Sequence, residues 1–433
     1  MLYLALPIVM QELVNSLVNI LDTFMAGRVG LQELTAVGLA NQIFFLFSLL
    51  CFGINSGSSI FMGQFWGKKD IPGIHKTIGI CLSISLMAAA LFAAAAFFIP
   101  ETLMNIYSKN DTLVINYGAQ YLQIICLSYF PYAITSSINA SLKSCGQTRL
   151  PVLTSLLSLI MNCIFKYIFT FKLRLSVQGI ALATVIARFI ELFAQLILIY
   201  KLRMPVAGNL KAYMSADCIY LKKYLRIAVP VIFTGFLWAV GTSFCNIAFK
   251  YTGTQGQGAY QMVNTIQQLF LIMGISIGSA CGILMARYLG AGELDRAIRY
   301  SRKCLVLSVV LGALMSGLLI IMSPHLVNIF NVSQEVKNLA LKTLKVIAVC
   351  LILTAFNYTA IVGILRSGGD TLFGLLVDGL TVWLVGVPIA FVTAKFIGLP
   401  IYWVIAFIRM EDTVKFILSF HRVLRNDWAR SIV

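Results

Sequence analysis

Residues 141–153 read SLKSCGQTRLPVL, and residues 364–376 read ILRSGGDTLFGLL. A Leu, a basic residue, a Ser, a Gly, a polar residue and a Thr stand at the same places, 223 residues apart. The same offset carries Pro7 onto Pro230, Gly30 onto Gly253, Ala36 onto Ala259, Asn41 onto Asn264 and Gly67 onto Gly290, with no gap. Within the two quoted stretches it carries Leu142, Ser144, Gly146 and Thr148 onto Leu365, Ser367, Gly369 and Thr371. These shared positions cluster where helices end and turns begin, places where backbone geometry restricts the residue type. The chain therefore reads as one bundle written twice.

What kind of bundle follows from composition. Of 433 residues, 59% are hydrophobic and 11% charged, with a mean hydropathy of +0.89. Soluble domains sit nearer half apolar and a quarter charged. A chain this apolar needs lipid as its solvent, and a span needs about 20 mostly apolar residues to cross a hydrocarbon core of about 30 Å. Such windows fall near 3–25, 36–62, 75–99, 115–140, 151–171 and 178–200, then near 226–248, 257–286, 299–323, 339–363, 374–394 and 398–420. The expected fold is all-α and membrane-integral: twelve transmembrane helices in two homologous six-helix lobes with internal pseudo-two-fold symmetry. Residues 1–205 form the N-lobe (helices 1–6) and 206–433 the C-lobe (helices 7–12), with 201–223 as a cytoplasmic linker. The apolar start predicts that the first span is itself the targeting element, without a cleaved leader.

The net charge of +17 raises nucleic acid as a partner, and its placement argues against one. Lys and Arg concentrate in the even-numbered loops, the linker and the C-terminal tail, among them Lys68, Lys69, Lys143, Arg149, Arg287, Arg366, Arg422 and Arg425. Basic loops stay cytoplasmic. This predicts a multi-pass protein of a bacterial or archaeal plasma membrane with both termini cytoplasmic. Six helices per copy is an even number, so the copies are parallel repeats, an arrangement in which transporters hold substrate between the halves. The ten Cys include no CxxC pair and read as apolar filler.

The first span carries the sharpest polar pattern. At 100° per residue, Gln11, Glu12, Asn15, Ser16, Asn19, Asp22 and Thr23 share an arc of about 140°. The rest of the circumference is apolar. An acid at the bilayer centre costs roughly 2.5–3.5 kcal/mol on the insertion scale, so this face is expected to line a solvated pathway. On the fifth span, Ser155, Ser158, Asn162, Lys166 and Thr170 form a related stripe. On the eighth, Gln257, Gln261, Asn264 and Gln268 share a face that suits either a cavity wall or an amide zipper. Glu191 and Asp378 are expected at interfacial depth, and Arg188 is the other basic residue well inside a span of the first half. No phosphate-cradling loop, HExxH or GxSxG occurs, and the three His are scattered, so no enzyme, cofactor or resident metal is expected.

The ordered set ALPIVMQELVNSLVNILDTFMAGRVG, AVGLANQIFF, GQFWGKKD, LKSCGQTRLP, QGIALATVIAR, LGAGELDRA, LRSGGDT and NDWARSIV resembles the multidrug and toxic compound extrusion (MATE) transporters over the whole chain. The resemblance implies two lobes that open alternately to each side and export of organic, often cationic, compounds in exchange for H⁺ or Na⁺. It implies an ion-coupling role for Asp22, in its Asp-Thr-x-Met-x-Gly context, and for Asn162, with Glu12 and Lys166 beside them and Na⁺ at Asp22 and Asn162 as one form of the coupling. The expected substrate cavity comprises Gln11, Asn15, Asn19, Asn41, Gln261, Asn264, Gln268 and Asp378. Partners are then small organic substrates and the bilayer, for a monomer. Two departures stand out. Gly235 occupies the place where many relatives have Glu, and Lys166 the place where Asn or Asp is usual. The alternatives are a flippase for a polyprenyl-linked lipid, built on the same two lobes, and a membrane scaffold that transports nothing.

Overall fold

Among the described residues the predicted apolar runs become helices, and Gly-containing breaks become turns at Gly146, Gly292 and Gly369. The computed structural model describes residues 2–107, 111–330 and 332–433, with the backbone alone at Leu2, Tyr3, Asn19, Ile20, Asp22, Thr23, Phe24, Ala26, Gly27, Leu31 and Tyr107. The first six membrane helices are α1 (Leu2–Val29), α2 (Leu31–Lys68), α3 (Ile71–Phe98), α4 (112–144), α5 (Arg149–Lys172) and α6 (Ser176–Lys201). The second six are α7 (Cys218–Ala248), α8 (Gly253–Gly290), α9 (Leu294–Asn328), α10 (Gln334–Gly368), α11 (Thr371–Phe396) and α12 (401–424). No strand occurs among the described residues.

The duplicated stretch forms the same turn twice. Gly146 (φ +78°) and Gly369 (φ +81°) both adopt the left-handed conformation. Gly146 N donates to Lys143 O at 2.9 Å and Gln147 N to Leu142 O at 2.8 Å; Gly369 N donates to Arg366 O at 2.9 Å and Asp370 N to Leu365 O at 3.1 Å. These paired bonds are the Schellman closure of a helix, which satisfies its last carbonyls and favours Gly because a Cβ opposes that conformation. The turn between α2 and α3 repeats between α8 and α9. Lys69 (φ 60°) and Gly292 (φ 76°), again 223 apart, end the helices, with N–H bonds to Trp66 O (3.1 Å) and Leu289 O (3.2 Å).

The chain divides into two compact units. The N-terminal unit comprises Met10–Met62 and Asp70–Leu225; the C-terminal unit comprises Met1–Val9, Gly63–Lys69 and Arg226–Val433. Helices α1 and α2 therefore each contribute to both. Lipid provides no hydrophobic drive for one helix to meet another, so packing relies on small residues that permit close approach. In the N-terminal unit Ala36, Ala40, Ala88, Ala89, Ala93 and Ala96 are buried together, around Phe47 stacked on Tyr129 at 4.9 Å. Ala248, Ala259, Ala340, Ala348, Ala390 and Ala394 do the same in the C-terminal unit. The large apolar side chains Met87, Leu91, Phe98, Ile321 and Leu384 point outward instead, an arrangement that lipid accepts and water would not.

The linker is ordered against the N-terminal unit. Tyr213 Oη accepts from Gly208 N (2.8 Å) and donates to Val206 O (2.7 Å), and His75 Nε2 lies 3.0 Å from Pro205 O. Burial pushes the Tyr213 phenol up to about 12.

Among the described residues π turns interrupt three helices, each of which carries charge. α5 ends in a π turn at Tyr167–Lys172, α10 in one at Tyr358–Leu365, and α11 contains three such turns, one of them Leu375–Gly379 around Asp378. π turns insert an extra residue per turn and are frequent at functional positions.

Candidate functional site

Polar side chains inside the spans form several groups in each unit. In the N-terminal unit, Gln11 is 2% exposed, and its Oε1 has no hydrogen-bond partner among the described residues. Glu12 Oε1 takes Lys143 Nζ at 3.1 Å. Asn15 is half-buried, and Asn41 Oδ1 receives Tyr121 Oη at 3.5 Å. The side chains of Asn19 and Asp22 lie outside the described residues.

The α5 stripe is turned against α6. Ser155 Oγ donates to Glu191 Oε1 at 3.0 Å, Ser158 Oγ to Ala187 O at 3.2 Å, and Asn162 Nδ2 to Thr184 Oγ1 at 3.1 Å. Most of this stripe is thus spent on joining two helices. Asn162 Oδ1 and Thr170 Oγ1 are buried without a partner among the described residues, and Lys166 is fully enclosed, engaged by a neighbour. Glu191, only 1% exposed, is ion-paired with Arg188 at 2.8 Å, and the Arg188 guanidinium lies 5.2 Å from the Tyr132 ring centroid. Burying a carboxylate is tolerable where a cation and further hydrogen bonds compensate it, and Glu191 has both.

In the C-terminal unit Gln261 and Gln268 are exposed and Asn264 is half-buried, opposite the buried Met262, Val263 and Ile266. These amides thus lie on an open face of the unit. Asp378 is placed by sequence in a cavity wall, and here it holds two cations: Lys415 Nζ at 3.1 Å on Oδ1 and Arg366 Nη2 at 3.4 Å on Oδ2. Lys415 also binds the Glu411 carboxylate. Beside them Arg409 Nη1 and Thr354 Oγ1 each reach Asp412 Oδ2 at 3.2 Å, and Asn357 Nδ2 donates to Asp412 O at 2.9 Å. Arg409, Glu411, Asp412 and Lys415 were missed by sequence reasoning. Their signal was the run RMEDTVK inside the predicted span 398–420, where ionisable residues are functional candidates by default. The run sits where α12 breaks between Ile401–Ile408 and Met410–Leu424.

An apolar groove of about 610 Å³ also lies in this unit, lined by Pro388, Val392, Leu399, Trp403 and Phe407 among others. It contains none of the predicted polar residues. Its one hydroxyl, Thr393, is committed to Ile389 O at 2.6 Å. No trio of His, Cys, Asp or Glu groups into a metal-holding cluster among the described residues.

The MatE family model matches residues 7–168 and again 230–392, so the two matches begin at the repeat offset. The uncharacterized transporter YisQ of Bacillus subtilis (strain 168) is 25% identical over 94% of this chain and 90% of its own. The probable multidrug resistance protein NorM of Thermotoga maritima is 22% identical, covering 95% and 90%. Human multidrug and toxin extrusion protein 1 is 24% identical, covering 93% and 70%. Among solved structures, a MOP superfamily transporter from Pyrococcus furiosus superposes with a TM-score of 0.90 at 18% identity, covering 99% of this chain and 95% of that one. An outward-facing MATE transporter gives 0.89 at 18% identity, covering 98% and 96%. At that identity the likeness shows the fold, a two-lobed bundle of twelve membrane helices. With both halves of its length matched in order, the chain belongs to the MATE family of multidrug and toxic compound extrusion transporters.

Proposed function

We propose that this chain is a secondary antiporter that exports organic compounds, cationic ones above all, in exchange for H⁺ or Na⁺ across a bacterial or archaeal plasma membrane, with both termini cytoplasmic. One observation carries the reading: two predicted site residues of the N-terminal unit, Gln11 of the expected cavity and Asn162 of the expected ion-coupling set, each keep a buried oxygen with no partner among the described residues. Buried acceptors are ordinarily bonded, so such oxygens suit a mobile guest such as a cation or water. Asp22, on the same polar face of α1, supplies the exchangeable charge; Glu12, Asn15 and Asn19 border it. The multidrug extrusion proteins among the relatives support the substrate class. One charge moving through 100 mV yields about 2.3 kcal/mol, a gradient of roughly fortyfold at 1.4 kcal/mol per tenfold.

A lipid flippase calls for a surplus of basic groups in the cavity. Lys143 and Arg188 are instead neutralised by Glu12 and Glu191, which favours the antiporter. The test is ethidium efflux from proteoliposomes under imposed H⁺ or Na⁺ gradients. Asp22→Asn is expected to abolish gradient-driven efflux while the protein still folds and inserts. Undiminished efflux from that variant would remove Asp22 from the mechanism.

A further inference from the structure

The ion network on α10, α11 and α12 contains three carboxylates and three cations, and shares them unevenly. Asp378 holds the Arg366 guanidinium and the Lys415 ammonium. Asp412 holds the Arg409 guanidinium and the Thr354 hydroxyl. Glu411 has one cation only, and that cation, Lys415, is shared with Asp378. Lys415 is anchored for this role: its side chain is 6% exposed. The Glu411 and Asp378 side chains keep 13% and 24% of their surface accessible, so neither acid is sealed inside the unit. Gly386 leaves room for the outer oxygen of Glu411, since a Cβ there would stand 2.5 Å from Oε2. The other ionisable groups around the cluster are Cys245 on α7, Tyr260 on α8, and Cys350 and Tyr358 on α10. Finally, Asn357, which bonds to the Asp412 carbonyl, is 5% exposed and keeps a buried Oδ1 with no partner among the described residues. It is a polar acceptor the network does not use.

We infer that Glu411 is a proton-exchange site of the C-terminal unit, with Lys415 as a tethered cation that passes wholly to Asp378 when Glu411 is protonated. A hydronium proton adds to a Glu411 carboxylate oxygen and leaves water; Lys415 stays an ammonium and keeps its bond to Asp378. Deprotonation draws the ammonium back between the two carboxylates. Because Lys415 already stands between the acids, protons, and not a second metal cation, are the ions this site exchanges. The inference rests on the antiport reading and gives it a second coupling position, on α12, in the lobe where Gly235 leaves the first helix without an acid.

Infrared difference spectra of the full chain in liposomes, taken between acid and alkaline buffer, test this through the carboxylic-acid C=O stretch. The titrating band of the native protein sums all its titrating carboxyls, Asp22 among them; one component of it is expected to be lost in Glu411→Gln and kept in Asp412→Asn. Native and Glu411→Gln spectra with the same titrating band overturn the inference, as does the absence of any titrating band. If Glu411→Gln does not fold, Glu411→Asp carries the test: the band must shift in frequency or midpoint, and an unmoved band overturns the assignment. In ethidium efflux driven by a pH gradient, Glu411→Gln should lose at least tenfold in accumulation. Native protein indifferent to every ion gradient would sink the antiport reading itself. Native protein that is coupled, alongside an equally coupled Glu411→Gln, sinks this inference alone.

Discussion

Lys143 and Arg366 occupy the same place in two copies of one turn, yet they find their acids on different helices. Lys143 reaches across to Glu12 on α1. Arg366 reaches Asp378 on α11. The repeat mate of Glu12 is Gly235, and the mate of Asp378 is Ser155, so each half has a carboxylate where the other has none. A further mate pair, Arg188 and Glu411, is opposite in charge. Duplication thus preserved the turn and the need of its basic residue for a counter-ion, while the counter-ion moved from the first helix of a lobe to the fifth. The energetics move with it. Glu12 is 38% exposed, so its bond to Lys143 is screened and is worth at most about 1 kcal/mol. Lys415 and Arg366 are nearly enclosed, and a buried pair deprived of one partner leaves an uncompensated charge.

That asymmetry is open to direct attack. Lys415→Met strands Asp378 with one guanidinium and Glu411 with no cation, and is expected to cost about 3–5 kcal/mol. Lys143→Met should cost no more than about 1 kcal/mol. Thermal unfolding of the two variants in detergent measures the difference. Equal losses would erase the contrast between the lobes. A finer test moves the acid back: Asp378→Ser alone should destabilise, and adding Gly235→Glu should return part of the loss, with a coupling of about 1–3 kcal/mol between the two sites. Strict additivity would mean that position 235 does not reach the cluster, and that Asp378 has not taken over the role Glu12 plays in the first half.

Legibility in the sequence followed the same division between backbone and side chain. Helix positions were readable because lipid demands long apolar runs and turns demand Gly, and both leave marks within a few residues of where they act. The offset of 223 exposed the two lobes for the same reason. The site was harder. The polar arc on α1 was visible as periodicity, and Gln11 proved buried. The α5 stripe was visible too, but periodicity says that a face is polar without saying what meets it. Ser155 and Ser158 are spent on α6, and only the structure shows that their partners are Glu191 and the Ala187 carbonyl. The RMEDTVK run was in plain sight inside the span 398–420 and was passed over. Its meaning depends on the break at Arg409 and the π turn at Asp378, which bring Lys415 and Asp378 together from residues 37 apart.

The smallest expected effect tests the part the two halves share most closely. Gly146 and Gly369 have nearly the same φ, so Ala at either meets the same backbone penalty, about 1 kcal/mol. Their surroundings differ. A Cβ at Gly146 meets nothing within 4 Å, whereas one at Gly369 would stand 2.8 Å from Ile432 Cγ2. Ile432 is held there: its N–H donates to Gln64 Oε1 at 2.7 Å, and Gln64 Nε2 donates in turn to Ser367 O at 2.8 Å. Gly146→Ala should therefore show the bare turn penalty, and Gly369→Ala a larger loss that Ile432→Ala brings back toward the Gly146→Ala value. If the two glycine variants unfold at the same temperature, the C-terminal tail does not press on the second turn. If Gly146→Ala is the worse of the two, the turn in the first half is confined by something other than its own φ.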